Sequence, residues 1–286
     1  MLSIMTKYIH YIIDFILGVD SKKVLNEELS LSVTIPNIAT EMRTIVDELK
    51  IAAFDNQDGI VDYSGLKNSP TFMRYKKIAG SLKLLNLSTL QSRGEKLAFW
   101  INLYNSLIVD AVISLGIKKT VWEKGLGFFR KVAYEIGGLR YSADDIEHGI
   151  LRNNQFHPIF RIPQFDSNDV RLRHSLALDP RIHFTLVCAS RSCPVITVYH
   201  ATEIDKELDI ASSSFINGGG VIVNLGKKKL SLSRIFKWYK ADFGGRRGII
   251  EFILKYIKDG TEKDFLAKNN YKLRIEYQKY DWSLNH

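Results

Sequence analysis

The only thiols in this 286-residue chain are Cys188 and Cys193, separated by Ala-Ser-Arg-Ser. Cys193 lies in Ser192-Cys193-Pro194, two residues after Arg191, and Pro194 is placed to open a helix with Cys193 at its cap. A nearby guanidinium and a helix N-terminus both favour thiolate over thiol, which makes Cys193 the candidate nucleophile. The competing reading is a small buried hydrophobe, a common role for a free cysteine.

Such a nucleophile needs a base. Ala143 to Arg152 reads as a short helix, with Ser142 as N-cap and Asp144 and Asp145 in its first turn. Glu147 and His148 are neighbours there and point about 100° apart, so Glu147 is not expected to orient His148. His148 is the base expected to serve Cys193.

His183 falls on a predicted strand, Arg181 to Cys188, where Phe184, Leu186 and Cys188 alternate with His183, Thr185 and Val187. At about 3.3 Å per residue it would lie roughly 16 Å from Cys188, out of reach of either thiol. His183 is therefore expected to hold its own polar partner or, with Arg191, Glu147 and Arg152, to contact substrate. Asn102 and Asn105 share one face of a helix and are candidates to orient an imidazole or stabilise an oxyanion. Buried amides demand partners, so tying that helix to a loop explains them equally well.

Other chemistries find less support. A metal site from His183, Cys188 and Cys193 fails on reach, and no Cys-x-x-Cys or His-x-x-x-His adds ligands. The cysteine spacing is not that of a redox motif, and two cysteines make no disulfide framework. There is no P-loop, dinucleotide glycine fingerprint or Gly-x-Ser-x-Gly elbow. No metal and no cofactor is expected.

The elements that must position these residues are legible in outline. Helices are predicted from Pro36-Asn37 through Ile38 to Phe54, from Ser69-Pro70 to about Ala79, and from Glu95 to Leu115, where apolar residues surround the helix and mark it as central and buried. Lys131 to Ile136 and Leu139 to Ser142 flank Gly137-Gly138 as a hairpin, and Val221 to Asn224 and Lys229 to Leu232 flank Gly226 as another. A loop from Asn153 to about Ser175 is long enough to be functional. Thr202-x-x-Asp205 predicts a capping box for a helix to Ile216. Helices at Ser233 to Tyr239 and Gly248 to Lys258 precede a last strand, Lys272 to Tyr280.

The polar stretch Asp55 to Ser64 is the one soft boundary. The expected fold class is α+β: a single domain with a central buried helix and several peripheral helices packed on a mixed, mainly antiparallel sheet. Residues 1–64 would be an N-terminal helical extension packed on the core, and 65–286 the domain proper.

Composition bounds the setting. The chain is 45% hydrophobic and 25% charged, which gives ample material for a core and no sign of disorder. Tyr8 to Val19 is apolar but interrupted by His10 and Asp14. It lacks the form of a secretory leader and is too short and too polar for a transmembrane segment, so an amphipathic helix packed on the domain is expected, with a membrane-surface anchor as the lesser alternative. Cysteine usage fits a reducing, intracellular setting, taken as cytoplasmic. Of the formal charge of +9, +8 arises after residue 220, where 15 Lys and Arg face 7 Asp and Glu. Solvated helix faces account for this, and nucleic acid is not the expected partner.

Four segments in register carry a resemblance. They are Lys96-Leu97-Ala98-Phe99-Trp100-Ile101-Asn102-Leu103-Tyr104-Asn105, Asp145-Ile146-Glu147-His148-Gly149-Ile150-Leu151-Arg152, Asp179-Pro180-Arg181-Ile182-His183-Phe184 through Cys188 to Ser192-Cys193-Pro194, and Tyr280-Asp281-Trp282-Ser283-Leu284-Asn285. In this order the chain resembles the family known as domain of unknown function 547, from about Phe72 to the C-terminus. The resemblance implies no established catalytic residues. Plant members of the family join the domain to a leucine-zipper region, and others carry it beside glutaredoxin-like or signalling modules; no heptad region is present here.

Two functions of different kind follow as expectations. One is a cysteine-dependent hydrolase or acyl transferase using Cys193 and His148. The other is a non-catalytic protein-interaction module built on a degenerate enzyme fold. Binding of nucleic acid or an anionic surface through the basic C-terminal quarter comes third.

Overall fold

The computed structural model describes residues 2–27, 38–55, 60–269 and 273–286. The expected helix start at Pro36-Asn37, the middle of the polar stretch after Asp55, and Lys272 of the last strand lie outside the described residues.

The chain begins with α1 (Leu2–Leu17) and α2 (Ile38–Ala53), then β1 (Phe54–Asp55) and β2 (Ile60–Val61), α3 (Tyr63–Lys67), α4 (Pro70–Ser81) and α5 (Arg93–Ser114). After α6 (Phe128–Lys131) come β3 (Ala133–Ile136), β4 (Leu139–Ser142), the π-helix Asp145–Leu151 and the 3-10 helix Pro180–Phe184. The last third holds α7 (Ile204–Phe215), β5 (Val221–Asn224), β6 (Lys229–Leu232), α8 (Arg234–Trp238), α9 (Gly245–Tyr256), α10 (Thr261–Asn269) and β7 (Arg274–Tyr277). This is the α+β class read from the sequence, with its strands spread over three small sheets among the described residues.

Helix α5 is the axis of the fold, buried along nearly its whole length. It passes the length and composition test for a membrane span, but the rest of the chain covers its apolar surface. A reciprocal capping box between Ser92 and Glu95 starts it. Around it α2, α4, the β3–β4 hairpin and the π-helix close a first hydrophobic core, while β5–β6–β7, α8 and α9 close a second around Phe184 and Phe236. Both hairpins form in the expected register. Gly137 and Gly138 have φ of 55° and 78°, the left-handed pair a two-residue hairpin turn demands. β7 adds to β6 in parallel.

Two expectations are corrected. Arg181 to Cys188 is not a strand. Asp179 accepts the Arg181 amide, Pro180 takes the first helical position, and a 3-10 turn runs to Phe184. The alternation that suggested a strand has another origin: Ile182, Leu186 and Val187 enter the first core and Phe184 the second. The Thr202–Asp205 capping box is absent, because the Asp205 carboxylate accepts from Arg93 and Arg181 and α7 starts without a side-chain cap. Helix α1 packs on the domain as expected, with Ile9, Ile13 and Leu17 half-buried; polar bonds fasten the same side, where Arg130 donates to Asp14 at 2.7 Å and contacts His10 Nδ1 at 3.1 Å, and His10 Nε2 meets the Pro163 carbonyl at 2.8 Å.

Candidate active site

The loop after Val187 folds the two cysteines onto each other, with their sulfurs 2.7 Å apart. Ala189 makes this possible with φ of 62°, a left-handed conformation costly for a residue with a Cβ. The Cys193 amide then closes the turn on the Ser190 carbonyl at 3.0 Å. The C-terminal segment clamps the turn from outside. Arg191 and Ser192 donate backbone bonds to Ser283 and Asp281, Asn285 donates to Ala189, and the Asp281 amide returns a bond to Ser192 Oγ. Trp238, Tyr280 and Trp282 pack ring against ring beside it, with Tyr280 and Trp282 4.6 Å apart.

This geometry sets the sulfur chemistry. The Cys193 sulfur accepts from the Cys188 amide at 3.0 Å and lies 3.4 Å from the Tyr280 hydroxyl and 3.3 Å from Ser190 Oγ. Ser190 in turn donates to the Tyr280 oxygen at 3.1 Å. Burial opposes ionisation of Cys193, but these donors, the Cys188 thiol first among them, outweigh it and bring its pKa down to about 6. The Cys188 thiol is pushed the other way, because its proton is held in the hydrogen bond to Cys193 and burial adds to the effect. One thiolate and one thiol therefore share the site near neutral pH. Cys193 is half-buried and packs against the first core, Cys188 against the second, so the pair bridges the two. Cys193 also lines a groove of about 610 Å³ with Arg191, Ser192, Pro194, Phe215 and Tyr280.

His148 is not part of this corner. Among the described residues the Cys193 sulfur meets only sulfur, hydroxyl and backbone groups. The expected Cys193–His148 pair is thereby corrected: His148 lies on the π-helix in a separate buried knot. Arg152 donates to His148 Nδ1 at 2.9 Å and to both oxygens of Asp242 at 2.6 and 2.9 Å, and His183 Nε2 meets the same carboxylate at 2.9 Å. Glu147 accepts from Tyr104 at 3.1 Å and from Tyr239, whose ring stacks on His183 at 3.9 Å. Burial first, and then the proximity of His157, Arg152 and His183, hold the His148 pKa well below its usual value. His183 is lowered by burial, with Asp242 opposing.

Asp144, His148 and His157 present possible ligand atoms within 4.8 Å of one another, close enough to surround a metal ion. Arg152 can only donate, which makes His148 Nδ1 an acceptor, and the Ile159 and Phe160 amides donate to His157 Nδ1 at 3.0 and 3.2 Å. Each neutral ring therefore carries its proton on Nε2, the atom facing Asp144 at 3.8 and 3.5 Å. A ligating histidine offers a bare nitrogen to the metal and donates through the other. The polarity here is the reverse, and the three residues fit a hydrogen-bonded knot instead.

The π-helix itself follows from local sequence. Ser142 and Asp145 exchange amide bonds at its start, as the N-cap expectation had it. Gly149 admits the Phe165 ring where a Cβ would lie 2.2 Å from it. The loop expected to be functional wraps this helix: Gln164 bonds Asp145 and Ser175 Oγ bonds the Gly149 carbonyl.

Asn102 and Asn105 act on backbone. Asn102 exchanges two bonds with Tyr199 and Asn105 bonds the Thr185 carbonyl and the Val187 amide, all at 2.9 to 3.0 Å. Their amides are spent tying the strand-less segments 185–187 and 199 to α5, and neither points to an oxyanion role. Of the expected substrate contacts, only Arg191 is exposed and beside the groove; Glu147, Arg152 and His183 are interior. Sequence reasoning set Cys188 aside as a partner of Cys193 because of its spacing, and missed Ser190 and Tyr280 at the sulfurs and Asp242, Tyr239 and His157 as members of the knot. Tyr280 stood in a motif already singled out, but nothing in its spacing places it against a loop some ninety residues away.

Residues 87–216 match the model of the family described as protein of unknown function, DUF547. Over this stretch, a little under half of the chain, the sequence is similar to that family. The match is narrower than the extent from Phe72 to the C-terminus expected from sequence. It takes in α5, the π-helix, both cysteines and α7, while Asp242 and Tyr280, which complete the two polar clusters, lie beyond it. No curated protein and no solved structure matches the chain.

Proposed function

We propose that this chain is a thiol-dependent enzyme that reduces a substrate disulfide, with Cys193 as nucleophile and Cys188 as resolving thiol. The observation that supports it is the sulfur pair itself: a low-pKa thiolate at a groove, 2.7 Å from a thiol that keeps its proton. Such a pairing is the working arrangement of dithiol chemistry. A hydrolase or acyl transferase would need a base at Cys193 to manage the leaving-group proton, and the histidines are engaged elsewhere.

The step balances without a cofactor. The Cys193 thiolate attacks one sulfur of the substrate disulfide, the substrate S–S bond breaks, and one substrate half leaves as a thiolate. Cys188 then loses its proton to that thiolate or to solvent and attacks the Cys193 sulfur. The mixed disulfide breaks, the second half leaves as a thiolate, and a Cys188–Cys193 disulfide remains. Two electrons pass from the dithiol to the substrate. Closing the pair to a bond of about 2.05 Å requires a sulfur movement of under about 1 Å.

The test is stoichiometric reduction of a chromogenic aromatic disulfide by the pre-reduced protein. Two thiolates should be released per native chain, with an internal disulfide formed. Cys188→Ser should stop at a mixed disulfide on Cys193, and Cys193→Ser should show no fast phase. If Cys193→Ser reacts as fast as the native chain, the thiol-enzyme reading fails and the interaction-module reading gains.

A further inference from the structure

Helix α1 carries apolar residues on both its inner and its outer side. The inner side, with half-buried Ile9, Ile13 and Leu17, is fastened through His10 and Asp14 to the Pro163 carbonyl and Arg130, so the orientation of the helix is fixed. The outer side, Tyr8, Tyr11, Ile12, Phe15 and Ile16, follows the i, i+3, i+4, i+7, i+8 spacing of one continuous face and is turned to solvent, Phe15 being 87% and Ile16 73% exposed. The end of α1 packs on the 125–127 turn, where Leu17 abuts Gly127, and that turn adds Leu126 at 78% exposure. A stripe of this size held outward by polar fastenings is a binding surface, not a fragment of core.

The charge around the stripe names its occupant. Lys7 lies on α1 over the Tyr11 ring, Lys22 and Lys23 follow its end, and Lys23, Lys124 and Lys131 line one depression there. The carboxylates in this zone are answered: Asp14 by Arg130, and on the other flank Asp145 and Asp169 by Arg171. Asp20 also lines that depression and accepts the Lys22 amide, and Glu123, beside Lys124, accepts the Lys119 and Thr120 amides. Apolar and tyrosyl side chains rimmed by lysines match the boundary between acyl chains and anionic headgroups.

We propose that this face docks the protein onto an anionic phospholipid bilayer, with Phe15 and Ile16 entering the acyl boundary and the lysines on the headgroups. The proposal is independent of the thiol chemistry.

Flotation of the intact protein with vesicles tests it. Binding is expected to phosphatidylcholine vesicles containing about 30% phosphatidylserine, and much less to phosphatidylcholine alone. Phe15→Ser with Ile16→Ser should lower partitioning at least roughly tenfold. Lys7→Glu with Lys124→Glu should also lower it, and raising salt from about 0.1 M to about 1 M should weaken it. Both pairs are exposed, so unchanged circular dichroism and thermal unfolding will show that the fold is kept. Absence of binding to anionic vesicles, or binding that survives the Phe15 and Ile16 changes, overturns the proposal. A dimer in sedimentation that the same changes dissociate, without vesicle binding, assigns the face to a second copy and also overturns it.

Discussion

The π-helix knot and the sulfur corner draw on the same stock of ionisable side chains, yet they reach opposite states. In the knot each group meets a fixed complement: Arg152 lies between His148 and Asp242, Asp242 between Arg152 and His183, and Glu147 between two tyrosines. At the corner two sulfurs share one readily lost proton, and one of them lines a groove. A buried group with all its hydrogen bonds met stabilises and specifies a fold. A group held in a charged form beside solvent has a lone pair left to react.

The comparison is most severely tested in the knot. Asp242→Ala would leave Arg152 buried with half its partners gone, and should cost about 3–5 kcal/mol in urea unfolding. The thiol reaction of the molecules that stay folded should be unaltered. A loss of thiol reactivity with little loss of stability would mean that the two regions are one site.

Asn105→Ala should cost about 2 kcal/mol, because it orphans the Thr185 carbonyl and the Val187 amide. Asn105→Asp keeps the acceptor for the Val187 amide but sets a second oxygen against the Thr185 carbonyl, and should recover stability only where that carboxyl is protonated. Tyr280→Phe removes one donor from the Cys193 thiolate and should raise its pKa by about one unit, with a stability change near 1 kcal/mol. That shift would be read from the pH dependence of alkylation.

A further effect is on stability against pH. The Cys193 thiol has a folded pKa below its unfolded value, so its contribution is present above the ordinary thiol range and is lost as pH falls through about 6. Over that window native stability should fall relative to Cys193→Ser. A difference that stays flat from pH 6 to the ordinary thiol pKa, about 8.5, would remove the thiolate from the account.

Much of the framework was legible because it is local. The Gly137-Gly138 turn, the Ser69 and Ser142 caps and the apolar girth of α5 depend on neighbours in sequence. The thiol corner was only half legible. Ser192-Cys193-Pro194 drew attention to the right residue, but a five-residue separation was read along an extended strand, and a 3-10 turn followed by left-handed Ala189 undoes that distance. The knot was hidden because Asp242 and Tyr239 arrive from another part of the chain. The outward face of α1 was missed for a related reason: periodicity gives the stripe but not which side of the helix the body grips.

The measurement closest to the central claim is the rate of iodoacetamide modification of the reduced native protein as a function of pH, with the modified cysteine identified by peptide mass. The account predicts modification at Cys193 with a midpoint near 6, while Cys188 stays protected until the protein unfolds. A midpoint at the ordinary thiol value of about 8.5, or equal modification of both cysteines, would contradict it.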